Sequence, residues 1–236
     1  MISNDKKKCS TCPNRENGIF CGIDSLSLES IGQHKIVNDY KKSSTIFYQG
    51  NPPFGIYCVL KGKVKLTKVG NDGKESIVRI AKNGDVLGHR SLFSHENYTS
   101  TATTIEDSVI CFIDKKFIFE LIQTNPQISI NLLHKLSLEM GLAEKISTSM
   151  AQKNVRQRLA EVLLYLQENF GTQELNRHKL DIRLTREELA SMIGTAVETV
   201  IRVVSDFKNA NLIDEEEKHL YILNVEGLRR IIDSDN

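Results

Sequence analysis

The hydrophobic positions of this chain change period along its length. From about residue 31 to 114, short apolar runs alternate with polar residues and are broken by glycines. The clearest runs are residues 55–60, 64–67, 76–80 and 108–112, and turn signals separate them: Gly50-Asn51-Pro52-Pro53, Lys61-Gly62, Asn71-Asp72-Gly73 and Asn83-Gly84-Asp85. Evenly spaced short strands with such turns predict an antiparallel barrel or jelly roll. Asn71-Asp72-Gly73 between two alternating runs predicts a hairpin.

At Pro126 the period becomes helical. Ile128, Leu132, Leu136, Met140, Ala143, Ile146 and Met150 follow at gaps of three or four, an apolar stripe of about six turns. It suits a helix lying on its own barrel or a two-stranded seam that makes a homodimer. The stripe is longer than a small barrel can cover, which favours the dimer. Residues 155–170 form a second amphipathic helix stopped near Gly171. Residues 172–180 are polar and read as a loop, and residues 225–232 read as a helical tail.

Between them lies a denser pattern. Thr185 with Glu188 three residues on forms a capping box. Leu189, Ala190 and Ile193 give that helix a core face, and Gly194 suits its left-handed end. After a short turn, Val200, Val203, Val204 and Phe207 recur at helical spacing. Two short helices joined by a glycine-containing turn describe a helix-turn-helix. Residues 211–223 then read as a small hairpin wing. In this geometry the start of the second helix faces the major groove of DNA, with Val197, Glu198, Ile201 and Arg202 on its outer face. Arginine can pair bidentately with guanine, glutamate can accept from the cytosine amino group, and an apolar side chain can touch a thymine methyl. The plain alternative is a Glu198–Arg202 surface ion pair at i, i+4.

Composition narrows the function classes. Apolar residues make up 40% of the 236-residue chain and charged residues 26%, enough for packed domains. Lysines and arginines number 31 against 30 acidic residues, and acidic residues exceed basic ones from Met150 onward. DNA binding must therefore rest on local arrangement rather than bulk charge. No apolar run is long enough to span a membrane, and the polar N-terminus is not a secretory signal. Five cysteines without an export signal predict a cytoplasmic protein with thiols free or metal-bound. Cys9, Cys12 and Cys21 fall in residues 1–24, an arm with little apolar periodicity that something else must order. No nucleophile–base arrangement, phosphate loop or cupin-type histidine cluster is present, so an enzyme is not expected.

Taken together, these segments resemble the Crp/Fnr superfamily of bacterial transcription regulators over almost the whole chain. The resemblance is carried by residues 55–64 (Gly-Ile-Tyr-Cys-Val-Leu-Lys-Gly-Lys-Val), residues 84–88 (Gly-Asp-Val-Leu-Gly), the long helix, and residues 197–202 (Val-Glu-Thr-Val-Ile-Arg). It implies an α+β protein with a cyclic-nucleotide-binding-type β jelly-roll barrel at residues 25–125, a dimerisation helix at 126–152 and a winged helix-turn-helix at 153–236. It implies a dimer on a palindromic promoter site in double-stranded DNA, in contact with RNA polymerase. Glu198 and Arg202 match the family's base-reading pair for a TGA-like half-site, and Val197 matches the Fnr branch. Ile201 stands where serine is often found. Thr185 and Arg186 match phosphate-gripping positions, and Ala196 and Thr199 match backbone or base contacts. A barrel-binding module without gene control is the contrasting class, and the helix-turn-helix speaks against it.

The resemblance also frames the signal. The cyclic-AMP branch anchors its ligand with a glutamate after the Gly88 position and an arginine and serine about ten residues on. Here those places hold His89, Tyr98 and Thr99, so a buried phosphate would lack its charged partner, at a cost on the order of several kcal/mol. Cyclic AMP is not expected, and another small effector would meet Gly88, His89, Tyr98 and Thr99. Cys9, Cys12, Cys21 and Cys111 match the ligand set of iron–sulfur members of the Fnr branch, which implies a [4Fe-4S] cluster and a redox or gas signal. Other readings stay open: structural zinc, redox thiols, no metal, or haem held by His34, His89 or His95. Cys111 and Cys58 also suit small buried hydrophobes.

Overall fold

A computed structural model describes residues 8–70, 73–175 and 177–234. The chain divides into two compact units, residues 1–141 and 142–236.

The first unit opens on α1 (Ser25–His34), capped by Asp24, whose carboxylate accepts from the Ser27 amide at 2.9 Å. Eight strands follow: β1 (Ile36–Tyr40), β2 (Thr45–Phe47), β3 (Gly55–Lys61), β4 (Val64–Val69), β5 (Glu75–Ala81), β6 (Val86–Leu87), β7 (Thr101–Thr104) and β8 (Ser108–Asp114). They pair as two antiparallel four-stranded sheets, in the orders β1-β8-β3-β6 and β2-β7-β4-β5. Phe47, Val59, Leu66, Tyr98, Ala102 and Ile110 form the core between the sheets. This is a jelly roll, and among the described residues no strand pairing closes it into the expected barrel. The predicted β4–β5 hairpin forms, pairing Val69 with Glu75; Asn71 and Asp72 of its turn lie outside the described residues.

Alternation along the strands decides what each face touches. On β3, Tyr57 and Val59 face the inter-sheet core, while Ile56 and Cys58 join a second core. That second core is built with Leu28 and Ile31 of α1, α3 (Lys115–Thr124) and the first turns of α4 (Pro126–Gln152). Cys9, Ile19 and Ile23 are buried in it as well. The arm that something else must order thus packs against the first sheet and its helices from position 9 onward, with Ile19 and Ile23 as apolar anchors. Two asparagines fasten it. Asn14 Nδ2 donates to the Leu60 carbonyl at 2.8 Å, and Asn131 Nδ2 of α4 donates to the carbonyls of Cys21 (2.8 Å) and Ile19 (3.0 Å).

The second unit contains α5 (Val155–Phe170), capped by an Asn154–Gln157 box, then β9 (Gly171–Glu174) and β10 (Arg177–Leu180). The helix-turn-helix is α6 (Arg186–Ile193) and α7 (Val197–Asn209); β11 (Ile213–Glu216), β12 (His219–Ile222) and α8 (Val225–Asp233) follow. Residues 172–180, expected as a loop, mostly form the β9–β10 hairpin. It joins the wing in one sheet of order β11-β12-β10-β9, with His178 opposite Ile222. Tertiary pairing overrides the weak strand pattern here. Among the described residues, no helix is long and apolar enough to cross a membrane.

Candidate functional site

The helix-turn-helix is built as its sequence requires. The Thr185 hydroxyl accepts from the Glu188 amide at 3.2 Å, and the Glu188 carboxylate accepts from the Thr185 amide at 2.9 Å. Gly194 adopts φ +62°, and an added Cβ would stand 3.2 Å from the Met150 sulfur. The turn releases α7 with Val200, Val203, Val204 and Phe207 buried beneath it. Glu198, Ile201 and Arg202 are exposed, Ala196 is exposed at the N-cap, and Val197 and Thr199 are half-buried. Among the described residues neither Glu198 nor Arg202 forms an ion pair, so the surface-pair alternative is not realised. Both groups are left free at the start of a helix whose opposite face is anchored.

Arg186 is placed differently. Its Nη2 lies 2.6 Å from the Glu215 carboxylate on β11, so α6 is tied to the wing through the side chain expected to grip phosphate. The acidic wing is neutralised in the same way. Arg177 makes two bonds to Glu216 at 2.6 and 2.9 Å and stacks 3.9 Å over the Tyr221 ring. These internal pairs answer the acidic excess of the second unit without using Arg202.

In the first unit, a cavity of about 60 Å³ opens between residues 9–20, α1 and the outer face of the sheet. Cys9, Cys12, Cys58, Cys111 and Lys35 line it, with apolar walls that include Ile31 and Phe20. Cys58 and Cys111 lie directly opposite each other on β3 and β8 and so share one face of the sheet. Burial raises the Cys9 thiol, and the nearby Lys35 ammonium offsets this only in part. Burial likewise pushes Cys111 up to about 11 and raises Cys58 strongly. These thiols are held protonated at neutral pH.

The predicted metal set is not assembled. Cys21 does not line the cavity, and its carbonyl is held by Asn131. Among the described residues no three His, Cys, Asp or Glu side chains are grouped closely enough to hold a metal ion. The quartet of Cys9, Cys12, Cys21 and Cys111 therefore does not fit a cluster as the chain stands. Cys58, which sequence reading set aside as a buried hydrophobe, takes the place beside Cys111. Its signal was the β3–β8 register, which only the folded topology reveals.

The predicted effector pocket is also divided. Gly88 and Tyr98 do meet: a Cβ at Gly88 would stand 3.2 Å from the Tyr98 ring. Tyr98 fills the jelly-roll interior, stacked on Phe47 at 4.0 Å. His89 is buried and its Nε2 donates to Glu139 of α4 at 3.2 Å, while Thr99 is exposed. The other haem candidates differ: His34 stacks on Phe117 at 4.2 Å and His95 is exposed.

The stripe on α4 splits. Ile128 and Leu132 are buried in the core of their own unit, so they are not free to meet a partner. Leu136 is half-buried. Met140, Ala143, Ile146 and Met150 are exposed.

Comparisons with known proteins agree with this arrangement. A family model described as the cyclic nucleotide-binding domain matches residues 37–125, and one described as the Crp-like helix-turn-helix domain matches residues 157–231. The chain is 30% identical over 213 residues to the "CRP-like cAMP-activated global transcriptional regulator" of Mycobacterium tuberculosis, covering 90% of this chain and 95% of that protein. It is 28% identical over 220 residues to the "Transcriptional activator protein FnrL" of Cereibacter sphaeroides, covering 92% and 88%. A solved CooA mutant from Carboxydothermus hydrogenoformans shares the fold, with a TM-score of 0.74 at 20% identity over 94% of this chain and 95% of that one.

Proposed function

Because the chain belongs to the Crp/Fnr family of transcription regulators, we propose that it binds a palindromic, TGA-containing promoter site in cytoplasmic DNA as a homodimer, contacts RNA polymerase there, and responds to a redox or gas signal. The observation that carries the DNA-reading part is the exposed, unpaired Glu198 and Arg202 at the start of α7. Arg202 pairs with guanine and Glu198 accepts from the cytosine amino group, while Val197 and Ile201 meet thymine methyls. Thr185, Ala196 and Thr199 contact the backbone, and the amides at the start of α6 suit a phosphate. Arg186 joins them only by exchanging Glu215 for phosphate. The exposed half of the α4 stripe, from Leu136 through Met150, forms the dimer seam.

The signal enters at the thiol cavity. Cys9, Cys12 and Cys111 around one apolar space support a thiol-based sensor, and the Fnr-like relative supports redox control. The mycobacterial relative is cAMP-activated by name, but here the interior is occupied by the Phe47–Tyr98 stack. The test is fluorescence anisotropy with a TGA-containing palindrome and a scrambled duplex, at stated salt. Binding at least ten-fold tighter to the palindrome, with one dimer per site, is expected. Equal affinity for both duplexes would overturn the reading.

A further inference from the structure

We propose that the cavity beneath residues 9–20 is a binding site for a small carboxylate with a short aliphatic body, its charge met by Lys35 and its hydrocarbon by the apolar wall. The site shares its cavity with the sensor reading above but does not depend on a redox or gas signal. Three observations support it. The first is the charge of the lining. Lys35 and Arg15 line the space, and no Asp or Glu does. Among the described residues neither cation pairs with a carboxylate. Lys35 is also held in place. Its amide donates to the Ile31 carbonyl at 3.0 Å at the end of α1, and the next residue opens β1, which pairs with β8.

The second is that sulfur does not supply the missing charge. The Lys35 side chain reaches Cys9. Burial raises the Cys9 thiol and pushes Cys111 up to about 11, so both are neutral at neutral pH. Lys35 stays an ammonium: burial lowers its titration, and the neighbouring sulfurs outweigh that. A half-buried ammonium is thus left among neutral groups. A carboxylate gives it a charge-assisted hydrogen bond in a setting less polar than water.

The third is the wall. Leu28 and Ile31 of α1, Phe20 of the covering segment and Ile113 of β8 surround the space. Such a wall accepts methylene groups and penalises a fully hydrated anion such as phosphate. The volume is about 60 Å³, against about 30 Å³ for a water in the liquid, so the aliphatic body is short, roughly two to four carbons. Asn14, bonded to the Leu60 carbonyl at 2.8 Å, holds the cover over β3. A ligand between the cover and α1 would fasten the two together.

Saturation-transfer NMR on the full-length protein tests this, with sodium butyrate as the probe. Butan-1-ol lacks the charge and inorganic phosphate lacks the hydrocarbon. Wild type and Lys35→Met are compared, with thermal unfolding as the control for folding. Butyrate is expected to bind wild type, and to bind Lys35→Met about ten-fold more weakly or worse. Butanol should bind wild type more weakly by a similar factor, and phosphate should not bind. A second readout needs no variant and decides the matter if Lys35→Met does not fold. Butyrate should slow maleimide labelling of Cys12, which lines the cavity, and leave Cys21, which does not, unchanged. Butanol binding as tightly as butyrate, or a folded Lys35→Met that keeps wild-type affinity, overturns the role of Lys35. Phosphate binding as tightly as butyrate overturns the role of the wall. Protection of Cys21 in place of Cys12, or no butyrate binding to wild type, overturns the site. Palindrome binding is read separately by anisotropy, so each of these outcomes leaves the DNA-reading proposal standing.

Discussion

Arg202 is exposed on α7 without an ion-pair partner among the described residues, so its side chain contributes little to holding the fold. Its removal should therefore separate recognition from stability. Arg202→Ala is expected to leave unfolding within about 0.5 kcal/mol of wild type. Discrimination between the palindrome and a duplex altered at the guanine should fall by about 1–3 kcal/mol. Chemical denaturation and anisotropy titration check the two parts, and unchanged discrimination would remove Arg202 from base reading. Residues of this kind were legible in advance, because capping, glycine placement and helical spacing are local. Cys58 was not. Nothing within residues 55–60 says that their neighbour across the sheet is 108–114, and the pairing spans more than a third of the first unit. The exchange of Cys21 for Cys58 in the thiol cavity is a consequence of topology, and spacing alone pointed elsewhere.

At the scale of elements, α4 shows how one uninterrupted pattern serves two environments. Its start packs into the core with α1 and the first sheet, which buries Ile128 and Leu132, and the ion pairs of the first unit extend only as far as Lys135 and Glu139 along a helix of 27 residues. Beyond Glu139, Met140 is 63% exposed and Ile146 43% exposed, so a charge there costs the lone unit little. Met140→Glu with Ile146→Glu is expected to shift sedimentation from dimer to monomer while the far-ultraviolet dichroism is kept. Leu132→Ala should instead lower stability by about 2–5 kcal/mol. A double variant that remains dimeric would place the seam elsewhere. The hydrophobic period identified α4 and its length, but not where self-packing stops, since that depends on what the folded unit places against it. The β9–β10 hairpin was missed for a related reason. Gly171-Thr172-Gln173-Glu174 has no strand-like alternation and is extended because β10 finds β12.

At the scale of the first unit as a whole, one charged network joins the second sheet, the loop before β6, α2 (His89–Ser94) and α4. Arg79 of β5 bonds Asp85 at 3.2 Å and Glu139 at 2.7 Å; Lys135 bonds Asp85 at 2.6 Å; His89 reaches Glu139 at 3.2 Å. Burial pushes the Asp85 carboxyl up, and Arg79 and Lys135 outweigh it, leaving it below the ordinary range. Burial also pushes Glu139 up, and the His89 hydrogen bond with Arg79 and Lys135 reverses that. A carboxylate depressed in the folded state stabilises the fold above its unfolded value, and that contribution fades as pH falls through the folded one. Both groups should therefore stabilise fully above about pH 5 and progressively less below about pH 4, the ordinary carboxylate range. Glu139→Gln should cost about 1–3 kcal/mol at pH 7, because Arg79 loses its charged acceptor inside the unit. The variant and wild type should converge as pH falls towards 3. Urea unfolding at pH 7, 5, 4 and 3 reads this directly, and a gap that stayed constant down to pH 3 would mean that Glu139 acts by packing and not by charge. The same bonds are what couples α2 to α4, since buried His89 meets half-buried Glu139 where the jelly roll meets the long helix. Loosening them by acid or by Glu139→Gln should therefore raise hydrogen exchange in α2 and in residues 126–139 together, while β7 and β8 keep their protection.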